Sequence, residues 1–408
     1  MTTKCRIAIV GGGLAGAATA NALKTAGIAA ELFEAAPAMR EIGAAVNCSP
    51  QAVKALRAIG ARERVDAVGH RSPGDYTRNL QTGEILEIAD RFKQEQKWGA
   101  PYYSFHRADL LDALSAGLDP AHVHLGHRLA GVDVRDDGVM LDFANGQRVQ
   151  AEYVIGADGV RSVLRQALYG DDDPTYTGSM AWRALLKVSD LPPGALDYAL
   201  EPVGHAQWVG PGRHLRAYYI RHDKSLVNIV SQQDTSEWVE ESWSTRGDPD
   251  EMRASFADAE PRLQKLLSLV TECMKWGLFA RPINDNWGRG RIQLIGDAAH
   301  AMVPSAGQGA SQSFEDAYIL GRWLAACADP VEAFANFRRV RIPRVHGVQR
   351  LSLANMKFKH MKDAQAQKEA IASGTGSVRG KNDWLLGFEP EIEWNKDPVV
   401  PAVYADPA

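Results

Sequence analysis

Asp297 is an acid at the end of an apolar run. The stretch Arg291–Ala317 reads "RIQLIGDAAHAMVPSAGQGASQSFEDA", and a loop holding Pro304, Gly307 and Gly309 follows the acid before a helical pattern begins. A glycine-rich loop that opens a helix leaves backbone N–H groups bare, and such groups bind anions or electron-rich edges. Two other turns share this character. Gly156–Arg165, "GADGVRSVLR", places Asp158 where a strand runs into a helix. Asp158 is within reach of backbone amides or a nearby nucleotide there, and Arg161 and Arg165 are predicted on neighbouring turns of one helix. Near the N-terminus Gly11-Gly12-Gly13-Leu14-Ala15-Gly16 separates a strand from a helix. Gly11 suits the tight turn, Gly13 a close approach to a pyrophosphate, and Gly16 close packing of helix on strand. Glu34 ends the next strand, 18 residues beyond Gly16, where an acid can accept from both hydroxyls of a ribose. Three glycine-and-acid turns at strand ends, in this order, read as one extended dinucleotide cradle.

The elements that position these turns follow from the pattern around them. "CRIAIV", "AATANALKTAG" and "AAELFE" alternate as strand, helix and strand, the signature of a parallel sheet. Ser49-Pro50 reads as a helix start, Gln81–Gly83 as a hairpin turn, and Asn145-Gly146 as a second, tight one. From Thr177 to about Ile283 the chain is strand-rich, with two short helices; a helix then runs to about Cys327 and another starts at Pro330. The expected fold is α/β. A Rossmann-like nucleotide-binding domain is assembled from residues 1–75, 101–176 and 285–345. A mixed-sheet domain takes 76–100 and 177–284, and a C-terminal helix and tail take 346–408. Within "WVGPGRHLRAYYI", a strand beginning at His214 places His214, Arg216, Tyr218 and Ile220 on one face. Read from the residues alone, His214 is a histidine satisfied at the end of a strand. Arg183 and Arg216 are available to hold a carboxylate, and Trp182, Trp208 and Met180 read equally as pocket walls or as ordinary sheet packing.

The bulk properties exclude several classes. The net charge is 46 − 50 = −4, too mild to predict nucleic acid or an anionic membrane as partner. Cys5, Cys48, Cys273 and Cys327 form neither a disulfide framework nor a zinc knuckle. No apolar run approaches the ~18–20 residues of a membrane span, and the chain enters a strand at once without a signal peptide. A cytoplasmic monomer or homodimer without a metal is expected. "HVHLGH" (His122, His124, His127) reads as an edge strand and "FRRVRIPR" (Phe337–Arg344) as a solvated helix face. "GDDDP" (Gly170–Pro174) reads as an exposed loop, and His300 as support behind Asp297.

The three turns, with "HRADL" at His106–Leu110 and "DWLLGF" in the tail, resemble the single-component FAD-dependent aromatic hydroxylases. The group is the one around salicylate hydroxylase, 3-hydroxybenzoate 6-hydroxylase and 6-hydroxynicotinate 3-monooxygenase, and the resemblance extends from about residue 5 to residue 350. It implies FAD held by Gly11, Gly13, Leu14, Ala15 and Gly16. Glu34 and Ala35 would serve the adenosine, Arg107 the pyrophosphate and flavin side, and Leu129 the adenine through its backbone. Asp158 would belong to a motif serving both FAD and NAD(P)H, and Asp297 would hold the ribityl chain. Pro304, Gly307, Gly309 and Ala310 would line the flavin ring where oxygen reacts. With one βαβ fingerprint, NADH or NADPH would be a transient visitor. The resemblance further implies that O2 yields a flavin C4a-hydroperoxide that hydroxylates a small aromatic or heteroaromatic phenol or acid. His214 would act on the substrate hydroxyl, Tyr218 on its ring, and Asn47, Arg183, Trp208 and Arg216 would complete the substrate side. The chain departs from these relatives at Ser305-Ala306, Ala45 and Asn47. A reductase or dehydrogenase, a non-catalytic flavin-binding protein, and a monooxygenase for a non-aromatic natural-product intermediate remain open at this point.

Overall fold

A computed structural model describes residues 2–39, 45–170, 173–236, 245–372 and 382–406. Of the acidic loop Gly170–Pro174, Asp171 and Asp172 lie outside the described residues. The first strand, Thr2–Val10, pairs in parallel with Glu31–Phe33 on one side and Arg148–Gly156 on the other. Ile292–Leu294 lies beyond, parallel to Arg148–Gly156. Strands covered on both faces must be apolar throughout, and Ile7–Val10 and Val154–Ile155 are buried accordingly. The register sets Val10 beside Gly156 and Gly156 beside Leu294. The three glycine-and-acid turns therefore leave the sheet side by side, at the crevice beyond the carboxyl ends of its strands, where open α/β sheets bind ligands. Gly11 turns with φ 104°, and a Cβ there would meet the Ala157 carbonyl oxygen at 2.3 Å. A Cβ on Gly16 would lie 1.8 Å from the Gly11 carbonyl oxygen, so the helix Leu14–Thr25 packs this closely only with glycine.

A second eight-stranded sheet roofs this crevice. Its centre is Thr175–Lys187, Leu226–Asp234, Arg213–Tyr219 and His205–Gly210, mutually antiparallel. The hairpin Gly74–Asn79 and Ile85–Asp90 joins its edge, turning where Asn79 Oδ1 accepts from the Gln81 and Thr82 amides. Strand alternation decides which side chains meet the crevice. His214 pairs with Val209 and Leu215 with Trp208, so Trp208 shares Leu215's face, away from His214. Trp208 is fully buried among Leu215, Phe256 and Leu263, with its indole N–H donating to Glu260 Oε1 at 2.9 Å. The placement of Trp208 on the substrate side is thus corrected: it is core. Met180 and Trp182 belong to that same core.

Two further expectations change. Arg161 lies in the turn before the helix Val163–Tyr169, whereas Arg165 is inside it and buried, donating to the Asn286 carbonyl at 2.8 Å. Arg341 and Arg344 of "FRRVRIPR" are buried rather than solvated, on the 30-residue helix Pro330–Lys359. Arg341 donates to Asp316 at 2.8 Å and Glu315 at 2.6 Å, and Arg344 donates to Glu315 at 2.7 Å. Arg344 also donates to the Trp384 and Leu385 carbonyls, which ties "DWLLGF" to the helix. His122 and His124 both bond Glu31 on the neighbouring strand. Among the described residues no helix is long and apolar enough to cross a membrane.

Candidate active site

The crevice opens into a cleft of about 410 Å³ lined by Gly11, Gly13, Leu14, Ala15, Glu34, Ala35, Arg107, Leu129, Asp158, Asp297 and Ala310. Gly16 lies beneath it, where its missing Cβ lets the helix close on the turn. Glu34 is braced by its own surroundings: Oε2 accepts from the Gly12 amide at 2.5 Å and Oε1 from the Ala36 amide at 2.7 Å. Asp158 likewise accepts from Ser162 Oγ at 2.6 Å and the Leu164 amide at 3.1 Å, while burial pushes its carboxyl above the usual range.

Two helices begin at this cleft, Leu14–Thr25 and Gly309–Ala326. Neither has a side-chain cap or an acid in its first turn. Capping by a side chain is the usual way to satisfy the first amides, so two uncapped N-termini at one cleft suit a diphosphate. Burial lowers the pKa of the Arg107 guanidinium, opposed by the Asp297 carboxylate. The loop that carries Asp297 is anchored from behind. Asp316 accepts from the Gly296 amide at 3.0 Å, lies 2.6 Å from His300 Nε2 and pairs with Arg341. Burial alone would raise the Asp316 pKa, yet His300 and Arg341 more than offset it and hold the group at about 2.

Arg107, Asp297 and Ala310 also line a second cavity of about 260 Å³ under the roof sheet. Its floor is Pro304, Gly307 and Gly309 from the loop, with Asn47 at the side. Its roof is His214, Arg216 and Tyr218, interleaved with Arg183 and with Asn228, Val230 and Gln232 of the neighbouring strands. Tyr218 OH accepts from Asn47 Nδ2 at 3.1 Å, and Asn47 Oδ1 accepts from Ser104 Oγ at 2.7 Å. Burial pushes the Tyr218 phenol up to about 12. His214 is buried, and burial, reinforced by Lys359, His360 and Arg216, holds its imidazole well below the ordinary value. It is therefore neutral at pH 7. Arg183 stacks on Trp276 at 5.2 Å from the ring centroid, and no carboxylate among the described residues pairs with it. Burial lowers its pKa, with Arg107 adding to the effect.

Four cationic side chains, Arg107, Arg183, Arg216 and Lys359, face this cavity against one carboxylate, Asp297. That imbalance in a low-dielectric space favours an anionic guest. Ser305 is tied to two residues of the cavity lining: its hydroxyl donates to Gln232 at 2.7 Å and its carbonyl accepts from Lys359. The alternation of "LVNIVSQQD" carried a signal for Asn228, Val230 and Gln232, since they pair with Tyr218, Arg216 and His214. Lys359 had no local signal; it reaches the cavity from the far end of a helix that starts at Pro330.

The chain matches the FAD binding domain family over residues 4–330. It is 34% identical to the 3-amino-4-hydroxybenzoate 2-monooxygenase PtmB3 of Streptomyces platensis, covering 94% of this chain and 96% of that one. It is 35% identical to the 6-hydroxynicotinate 3-monooxygenase of Bordetella bronchiseptica, covering 87% and 92%. A solved salicylate hydroxylase substrate complex superposes with a TM-score of 0.81 at 24% identity, covering 98% of this chain and 100% of the other.

Proposed function

The chain belongs to the FAD-dependent monooxygenases that carry this FAD binding domain, and on that premise we propose that it hydroxylates a small aromatic acid bearing a phenolic hydroxyl. FAD in the cleft would supply the redox chemistry that activates O2, with NADH or NADPH as the reductant. Gly11, Gly13, Leu14, Ala15, Glu34, Ala35, Arg107, Leu129, Asp158 and Asp297 are the residues to hold it, with Gly307, Gly309 and Ala310 toward the second cavity.

The remaining work falls to the chain. A cavity of about 260 Å³ suits a single substituted ring, being smaller than the ~300–1,000 Å³ of drug-sized sites. Arg183, without an acidic partner among the described residues, takes the substrate carboxylate. His214, neutral at pH 7, takes the phenolic proton on Nε2, and the resulting charge enriches the ring carbons ortho and para to the oxygen. Val230, Leu278, Met302 and Trp276 exclude water from the wall. Tyr218 and Pro304 bound the ring from roof and floor. The reading rests above all on the neutral His214 facing the same cavity as the unpaired Arg183.

The test is a panel of hydroxybenzoates, aminohydroxybenzoates and hydroxynicotinates supplied to the holoenzyme. At least one acid is expected to stimulate NAD(P)H oxidation and to gain one oxygen atom from 18O2. Stimulation by neutral phenols but by no acid would overturn the carboxylate assignment, and no oxygenated product from any arm would overturn the whole reading.

A further inference from the structure

His214 does not end at the cavity wall. Its Nδ1 lies 2.8 Å from Nε2 of His360, and Nδ1 of His360 lies 2.6 Å from Oδ1 of Asp234. The three groups come from different places. His214 is the second residue of a roof strand, Asp234 ends the antiparallel neighbour, and His360 follows the last turn of the helix Pro330–Lys359. Backbone bonds fix the junction: the Gly212 amide donates to the His360 carbonyl at 3.1 Å, and the Asp234 amide to the Gly212 carbonyl at 2.8 Å. Burial falls steadily along the line. The His214 residue is 3% exposed and the His360 side chain 5%, whereas the Asp234 side chain is 53% exposed. The row therefore connects the cavity to solvent.

Its polarity follows from hydrogen-bond inventory. A carboxylate can only accept, so Asp234 places the His360 proton on Nδ1. Neutral His360 then offers a lone pair at Nε2, which takes the Nδ1–H of His214. His214 is left with a lone pair on Nε2, the nitrogen that makes no hydrogen bond among the described residues. The same logic orients the histidine of a nucleophile–histidine–carboxylate triad.

We propose that Asp234 and His360 keep His214 in the proton-accepting tautomer and carry the substrate's phenolic proton out to solvent. The inference rests on the reading of His214 as the group that receives that proton. The step balances without a redox partner. The phenol O–H bond breaks as Nε2–H forms on His214, and the His214 Nδ1 proton passes to His360 Nε2. The His360 Nδ1 proton then passes to Asp234 and on to water. The phenolate is left facing an N–H donor, and neither histidine keeps a charge. The surrounding charges fit this neutral relay. Lys359 and Arg216 disfavour a lasting imidazolium at His214, and Lys359 opposes one at His360 while Asp234 favours it. Ser179 Oγ donates to Asp234 Oδ1 at 3.2 Å and helps keep that carboxylate an acceptor. Among the described residues no other acid contacts either imidazole. His360 and Asp234 act through His214 and are positioning residues.

A pH jump on the holoenzyme with bound 4-hydroxy-3-nitrobenzoate, whose phenolate is coloured, reads the proton's departure directly. In the unaltered protein the colour is expected within milliseconds, faster than release of the probe. His360→Phe and Asp234→Ala are each expected to slow it about tenfold or more, and Asp234→Glu to restore it. Retained FAD absorbance checks that each variant keeps its fold, and the Glu rescue separates a relay from a loss of packing. If both variants match the unaltered rate while His214→Gln is slow, the relay is overturned and His214 stands as the base. If His214→Gln is equally fast, both readings fall.

Discussion

The two cavities that meet at Asp297 are built by opposite means. The FAD cleft is made largely of backbone: turns at three adjacent strand ends, two uncapped helix N-termini, and a few acids braced by amides. The second cavity is made of side chains drawn from four roof strands, the strand Ala45–Cys48, a loop and the end of a distant helix. Backbone cradles tolerate little, because a single Cβ at Gly11 collides with a neighbouring carbonyl. Side-chain cavities can be re-cut residue by residue without disturbing the cradle. This is how one family can hold a fixed cofactor and accept different rings.

The largest expected effect is on the cleft side. Gly11→Val places branched carbons where a Cβ alone would lie 2.3 Å from the Ala157 oxygen, on a backbone with φ 104°. The purified variant should lack flavin absorbance and activity altogether; a yellow, active variant would show that the turn is not needed. Next comes His214→Gln, expected to lower hydroxylation about 10²–10⁴-fold while the flavin spectrum is unchanged. Equal loss of flavin would erase the distinction between the two cavities. Arg183→Gln is expected to weaken binding of an acidic substrate by about 10–100-fold, seen as a raised KM with kcat little altered. A kcat effect alone would assign Arg183 to the chemical step.

A separate test reads stability against pH. His214, His360 and His70 are all held below the ordinary histidine value, first by burial, with His70 at about 4. In each case the unfolded chain takes up a proton before the folded one does. Their contribution to stability is complete above about pH 6.5 and declines as the pH falls from there toward 4. For His70 the full loss is on the order of 3 kcal/mol. Urea midpoints between pH 7 and pH 4.5 should fall accordingly, and a flat profile would argue against buried neutral imidazoles at these three positions.

The cleft was legible in the sequence because its requirements are local. Glycine at positions 11 and 16, and an acid after each strand, are demands the backbone makes within a few residues. The roof was legible only in part. Period-two alternation put His214, Arg216 and Tyr218 on one face, but it did not say which face of the preceding strand joined them, and Trp208 was placed on the wrong one. Pairing register decides that, and register is a property of two strands. Arg341 and Arg344 were misread because their partners, Glu315 and Asp316, sit on another helix. An acidic pair directly before the apolar run Ala317–Leu320 was the available hint. His360 had none, since only the docking of a long helix against the end of the roof sheet brings it to His214.

In the proposed reaction an aromatic acid sits beside the flavin with its carboxylate on Arg183. The most direct measurement is the change in bound-flavin absorbance on titrating 4-hydroxybenzoate against 4-hydroxybenzamide, in the unaltered protein and in Arg183→Gln. The expected result is a perturbed flavin spectrum with the acid binding at least about tenfold tighter than the amide, a preference lost in the variant. Equal affinity for acid and amide in the unaltered protein would contradict it.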